Sequence, residues 1–211
     1  FDGAEGVAAV SAEPVSTPGG AVVPGDEYWP LLREICDHHG VLLIADEVIC
    51  GFGRTGKMFA VEHWGIVPDI MTIAKGIISS YLPLAATVVK DEVAEAFAGK
   101  DNYFKHVLTF SGHPVSAAAS LKNIEIIEQE NMVDNSREMG AYFKEQLEGL
   151  AGDHPIIGNV SGLGLLMGIE LVADRETRAP LAEDVHIADR LNERFKKYGL
   201  ILRMSGNIIG I

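Results

Sequence analysis

The sequence predicts an α/β fold, a mostly parallel sheet with helices on both faces. Three observations predict it. Residues 7–12, 41–45 and 69–74 are continuous apolar runs rather than alternating ones, as expected of strands buried on both sides. Helix-like or loop-like segments separate them, which suits crossover connections. Nearly half of the 211 residues, 47%, are apolar, enough for a packed core.

Taken in order, the run at 7–12 reads as a short, fully buried strand, followed by a Pro/Gly-rich loop over 14–25. Residues 26–39 read as a helix: Asp26 can cap it, Pro30 is tolerated in its first turn, and Leu31, Leu32, Ile35 and Cys36 form one apolar face. Gly40 supplies the stop. Strands at 41–45 and 69–74 follow, then a β-like run at 84–89, a short helix near 91–98 and longer helices near 113–130 and 134–150. Beyond Gly152 the pattern changes to a strand at 165–172, a helix at 182–197 and strands at 200–203 and 207–211, with Gly162-Leu163-Gly164 as a bend entering the first of these. We place a domain boundary near residue 130, giving a larger α/β part (1–130) and a small C-terminal α+β part (131–211).

Acidic residues outnumber basic ones, 30 to 17, for a net charge of −13. Such a surface repels a phosphate backbone and argues against nucleic-acid binding. No apolar run approaches the ~18 residues of a membrane span. The start, Phe1-Asp2-Gly3-Ala4-Glu5, has neither the basic region nor the cleavage site of a signal peptide. Cys36 and Cys50 offer no disulfide framework and no metal spacing, so reduced thiols in the cytoplasm are expected.

In open α/β sheets ligands bind beyond the carboxyl ends of the strands. Three ionisable residues stand at such ends: Glu13 after the first run, Asp46 after the second and Lys75 after the third. A single charged residue commonly marks only where a strand meets water; three at one sheet edge point to a site. A lysine there can condense with a carbonyl once its surroundings let it lose its proton. Pyridoxal phosphate supplies such a carbonyl, and a carboxylate beside its pyridine nitrogen keeps that nitrogen protonated. Asp46 suits the carboxylate, and Lys75 the Schiff base.

The residues also resemble a family. Leu43-Ile44-Ala45-Asp46-Glu47-Val48-Ile49 with Gly51-Phe52-Gly53-Arg54-Thr55-Gly56 is similar to the cofactor segment of class-III aminotransferases. Pro68-Asp69-Ile70-Met71-Thr72-Ile73-Ala74-Lys75-Gly76 resembles their Schiff-base lysine segment, and Thr109-Phe110-Ser111-Gly112-His113-Pro114 their Thr-Tyr-Ser-Gly-His-Pro motif, with Phe110 in place of Tyr. The resemblance implies the fold-type I architecture of pyridoxal-phosphate enzymes: the later part of the large domain, then the small domain. It implies that Asp46 pairs with the pyridinium nitrogen, Val48 packs on the ring and Lys75 carries the cofactor. Thr109 would reach the cofactor phosphate of a neighbouring subunit, so a homodimer is implied, and Glu13 would lie near the substrate. The likeness covers the later half of a typical member; the upstream turn that cradles the phosphate is not in this sequence.

Other signals point elsewhere. Gly51-Phe52-Gly53-Arg54-Thr55-Gly56 also fits G-x-G-x-x-G, but five residues, 46–50, intervene after the strand, no strong amphipathic helix opens at Gly56, and Asp69 begins a strand rather than ending one. His38 and His39 suit a helix C-terminus, and no histidine pair has metal spacing. His113 reads as structural, and Ser111 lacks a nucleophile-elbow sequence.

As to substrate, the stretch from Lys75 to Leu84 resembles the amine–pyruvate (omega-transaminase) branch. The ornithine and 4-aminobutyrate branches carry an Arg where this chain has Gly210. Arg203 falls where amine–pyruvate enzymes keep a mobile carboxylate-binding Arg; an ordinary surface Arg is the competing reading. The expected activity is therefore transamination between an amine or omega-amino acid and a keto acid such as pyruvate. Two alternatives stay open: an aminomutase of the same fold, and a non-catalytic fragment unable to hold cofactor alone.

Overall fold

The computed structural model describes residues 3–211; Phe1 and Asp2, part of the segment read for a signal peptide, lie outside them. The chain forms two compact units, one from residues up to 14, 24–53 and 57–132, the other from 15–23, 54–56 and 133–211.

The first unit holds a four-stranded sheet ordered β1 (Ala9–Ala12), β2 (Leu42–Asp46), β3 (Ile70–Ile73), β4 (Ala86–Val89). β1, β2 and β3 run parallel, with Ala12 level with Ala45 and Asp46 level with Thr72. β4 returns antiparallel to β3. Helix α1 (Tyr28–His39) ends at Gly40, whose φ of 65° is the left-handed conformation that closes a helix. Glu27, not Asp26, stands at its N-cap, and without a side-chain bond. Its buried residues are Trp29 and Cys36, with Leu32 partly buried between them; Leu31 and Ile35 are exposed, so the apolar face is rotated from the expected one. Trp29 and Cys36 join Val41, Leu43, Ala45 and Val61 in one core, and the indole N–H donates to the Pro14 carbonyl. One strand is less covered than the sequence suggested, and another lies open. β1 is only half-buried, and all four residues of β4 are exposed. Two helices complete the unit, α2 (Asp91–Glu95) and α3 (Pro114–Gln129).

The second unit has α4 (Met132–Asp153), then β5 (Ile157–Leu163) and β6 (Leu166–Asp174). Of Gly162-Leu163-Gly164, Gly162 and Leu163 end β5, and Gly164, at φ 56°, begins the hairpin turn that enters β6. β7 (Ala179–Pro180) also pairs with β6, helix α5 (Ile187–Lys197) follows, and β8 (Arg203–Ser205) and β9 (Ile208–Gly210) complete a sheet ordered β5-β6-β9-β8. The expected strand at 200–203 begins only at Arg203, and Ile201 is exposed. Two loops from the first half of the sequence belong to this unit. Ser161 Oγ donates to the Gly20 carbonyl, while the Arg54 carbonyl accepts from the Leu165 N–H and Ser136 Oγ.

Candidate functional site

The carboxyl ends of β1, β2 and β3 form one edge of the first unit's sheet. With Ala12 and Ala45 in register, Glu13 and Asp46 leave neighbouring strands at the same level. Asp46 is half-buried, and both of its bonds fall on one oxygen: Oδ1 accepts from the Val48 N–H at 3.0 Å and from Thr72 Oγ1 at 3.1 Å. The first bond closes an Asx turn that bends the chain out of β2. Thr72, within the apolar run of β3, was not singled out from the sequence. Its position level with Asp46 is what brings the hydroxyl to the carboxylate. Asp46 Oδ2 has no donor among the described residues, so one carboxylate oxygen keeps its accepting capacity.

Glu47, the next residue, is fully buried. Its Oε1 accepts from the Val61 N–H at 2.9 Å, whereas Oε2 is buried without a partner. Burial outweighs the backbone donors of Val61 and Ala60 and pushes this carboxyl above the usual range. Sequence reasoning assigned it no role, because a Glu beside a strand end carries no local sign of burial.

Lys75 opens a 3-10 turn (Lys75–Ile77) directly after β3. Its φ is 48°, in the left-handed region that a side chain normally avoids, and Ser79 (48°) and Ser80 (63°) share that conformation. Strain of this kind persists only where neighbouring groups enforce it, and it concentrates at functional sites. The Lys75 side chain is exposed and has no ion-pair partner among the described residues. It lines an open cavity of about 1070 Å³ together with Tyr81, Thr109 and Ser111. Lys75 and Thr109 are thus brought together, while Asp46 stands on the strand beside that of Lys75. Val48, half-buried, is tied to Asp46 through its N–H. Arg203 is exposed on β8 of the second unit.

The segment after β2 is a run of turns leading to a 3-10 helix (Ala60–Trp64), with no α-helix opening at Gly56, which is not the architecture of a dinucleotide-binding turn. Among the described residues no cluster of three or more His, Cys, Asp or Glu side chains could hold a metal ion, and no helix is long and apolar enough to cross a membrane.

A family model for aminotransferase class-III matches residues 2–211. The chain belongs to the class-III aminotransferases. Among curated members of this family, a taurine–pyruvate aminotransferase of Bilophila wadsworthia is 48% identical over 187 residues, covering 87% of this chain and 41% of that protein. A putrescine–pyruvate aminotransferase of Pseudomonas aeruginosa is 42% identical over 97% of this chain and 44% of its own length. An amine transaminase from an uncultivated Pseudomonas species, solved in its PLP-bound form, superposes with a TM-score of 0.94 at 42% identity, covering 99% of this chain and 48% of that structure. The chain therefore spans less than half the length of these class-III relatives. Its fold is that of the PLP-dependent transaminases, as the three matching segments implied.

The site's donor set fits pyridoxal phosphate on the structure's own terms. A lysine with no competing ion pair stands on a cavity wall, next to a strand whose terminal carboxylate has one oxygen uncommitted.

Proposed function

We propose that the complete protein catalyses transamination between an amine or omega-amino acid and a keto acid such as pyruvate, using pyridoxal phosphate held by Lys75. The observation that carries this reading is the conformation of Lys75: a strained, unpaired lysine on a cavity wall, immediately beyond β3 and beside the strand ending in Asp46. When bound, the cofactor supplies a carbonyl with which amines condense and a ring that accepts electrons. The remaining work falls to the protein. Asp46 would keep the ring nitrogen protonated through the oxygen that Thr72 and Val48 leave uncommitted, and Val48 would pack against the ring. Lys75, once freed by substrate, would take the proton from the amine-bearing substrate carbon on Nζ and deliver it to the carbon that had been the cofactor's carbonyl. Glu13 borders the substrate, and Arg203 pairs with the keto-acid carboxylate by a two-pronged hydrogen bond.

The active unit is a cytoplasmic homodimer in which Thr109 reaches the phosphate bound by the neighbouring subunit. In support, Leu108 and Phe110 on either side of Thr109 are 61% and 81% exposed, an apolar segment suited to subunit contact. Both cysteines are buried and form no disulfide with each other. The pyruvate preference draws on the relatives named above and on Arg203. By this reading the sequence unit 1–130 is the later part of the cofactor domain, and 131–211 the small domain.

The test is borohydride reduction of the complete protein loaded with pyridoxal phosphate, followed by peptide mapping. The adduct should lie on Lys75, and Lys75→Ala should abolish transamination. An adduct on another lysine overturns the reading. A requirement for a separate amino acceptor distinguishes a transaminase from an aminomutase. For Arg203→Ala, the Michaelis constant for pyruvate should rise about ten- to a hundredfold, the loss of one charge-assisted pair. An equal rise for the amine would make Arg203 structural.

A further inference from the structure

The left-handed conformation of Lys75 needs something to enforce it, and the structure supplies that from helix α3. The buried residues of α3 are Ser116, Ser120, Asn123 and Ile127. Spaced four, three and four apart, they form one helix face. Three of the four are polar, although a helix packed on a core ordinarily buries an apolar stripe. Two of these polar groups donate to the backbone of the lysine turn. Asn123 Nδ2 donates to the Gly76 carbonyl at 2.9 Å, and Ser120 Oγ to the Ile77 carbonyl at 3.1 Å.

These carbonyls lie in a turn too short to satisfy them. The turn's own bonds go to the Ala74 carbonyl, from the Ile77 N–H, and to the Lys75 carbonyl, from the Ile78 and Ser79 N–H groups, leaving the Gly76 and Ile77 carbonyls to other donors. A short helical segment leaves its last carbonyls without partners, and burying them so is costly. The glycine-rich loop also closes on the turn: a Cβ on Gly76 would approach Phe52 Cβ to 2.9 Å and the Gly51 carbonyl oxygen to 3.3 Å. The turn is therefore held in two ways, by contact and by directed hydrogen bonds. Contact alone would exclude some conformations. Two hydrogen bonds on successive carbonyls fix the Gly76–Ile77 and Ile77–Ile78 peptide planes, the second and third after Lys75, and so restrain the backbone path from which its side chain departs.

We propose that Ser120 and Asn123 are positioning residues that hold Lys75 in its strained conformation and aim it into the cavity. The proposal rests on the reading of Lys75 as the cofactor lysine. Neither residue lines that cavity, so they act through the turn. Without them, the segment 75–80 relaxes toward ordinary backbone conformations, and Nζ spends less time where it can react.

The experiment uses the complete protein with Asn123→Asp, which keeps the shape but removes the N–H donors, and with Ser120→Ala. Leu121→Ala is the control, on the same helix but 71% exposed. In the cofactor-free protein, amide hydrogen exchange over 76–80 should accelerate in both test variants and not in the control. The rate at which pyridoxal phosphate is captured at Lys75, read by borohydride trapping and peptide mapping, should fall about ten- to a hundredfold, the scale expected for a reacting group displaced by an ångström. In steady state kcat should fall with it, while KM for the amine stays within about twofold, since substrate binding is untouched. Wild-type exchange and capture in both variants would refute the clamp, as would equal changes in Leu121→Ala. Should Asn123→Asp not fold, Ser120→Ala decides by the same measurements. If the wild-type adduct maps to another lysine, the Lys75 reading fails, whereas the exchange measurement still decides whether α3 holds the turn.

Discussion

The two ends of the first unit's sheet carry similar ionisable residues in opposite conditions. At the amino end of β3, Asp69 is saturated: Oδ2 accepts from Arg33 Nη1 and from the Leu43 N–H, each at 2.8 Å, and Oδ1 from Lys90 Nζ at 2.8 Å. One carboxylate thus ties together α1, β2 and the residue after β4. Burial works against its charge, but the Leu43 N–H with Lys90 and Arg33 prevails and holds its pKa at about 2. At the carboxyl end, Asp46 has two neutral donors on one oxygen and none on the other, Glu47 is buried with an oxygen unpaired, and Lys75 is strained and without an ion pair among the described residues. A structural charge has its bonding capacity filled by the fold. The groups at the other end keep theirs in reserve, which is what a site for a charged cofactor requires.

Substitutions at the two ends should separate stability from activity. The largest expected effect is on activity. Asp46→Asn retains an oxygen to accept from Thr72 and Val48, so the melting temperature of the complete protein should change little. On the proposed function, the charge that would keep the ring nitrogen protonated is lost, and the barrier should rise by ~3–4 kcal/mol, the usual scale for a lost preorganised electrostatic contact. Near-normal kcat would break the comparison, as would a stability loss matching the activity loss.

Asp69→Asn should do the reverse. An amide can still accept from the Leu43 N–H but leaves the Arg33 and Lys90 cations, one of them largely buried, without their counter-charge. Asp69's pKa falls from 3.8 to about 2 on folding, which corresponds to stabilisation of about 2 kcal/mol. The sign follows from the depression: the contribution is fully present above the unfolded value and lost as pH falls through 3.8 toward about 2. Denaturant titrations at pH 7 should show Asp69→Asn less stable by that amount, with the gap closing near pH 2, while kcat per folded molecule is unchanged. A gap that persists at pH 2 would show that the ion pairs are not its source.

The saturated end was the less legible of the two from sequence. Strands β2 and β3 stood out because parallel strands buried on both faces are continuous apolar runs, and the charged residues that end them marked the edge with Asp46 and Lys75. What periodicity cannot supply is direction and long-range placement. β4 looks like its neighbours but runs antiparallel with every residue exposed. Leu31 and Ile35 are as apolar as Trp29 and Leu32, so α1 could be assigned either face. β5 hides its strand character behind Gly158 and Gly162, which weaken the pattern that a reader relies on. Loops 15–23 and 54–56 pack with residues far along the chain, which no local rule foresees. Asp69 was visible only as the start of a strand, since both of its cationic partners are distant in sequence. Ser120 and Asn123 were concealed differently: polar residues on a helix read as its solvent face, and here they are its buried one.

The smallest effect tests whether the reserve at the carboxyl end extends to Glu47. Its folded pKa is raised, chiefly by burial, so the sign is opposite to that of Asp69. Below the unfolded value near 4.5 the carboxyl is neutral in both states and costs nothing; as pH rises through the gap, the unfolded chain ionises first and stability falls. Glu47→Gln keeps an oxygen to accept from the Val61 N–H and cannot ionise. At pH 5 it should lie within about 1 kcal/mol of wild type, the new N–H group taking the place of the unpaired oxygen. Between pH 5 and pH 8 wild type should lose stability that Glu47→Gln does not, so the two curves converge or cross as pH rises. Since neither carboxyl oxygen of Glu47 is offered to the cofactor in this reading, kcat should stay within a few-fold. Parallel pH curves would mean that Glu47 is ionised in the fold like Asp69, with a partner for its second oxygen, and the two ends of the sheet would then differ only at Asp46 and Lys75.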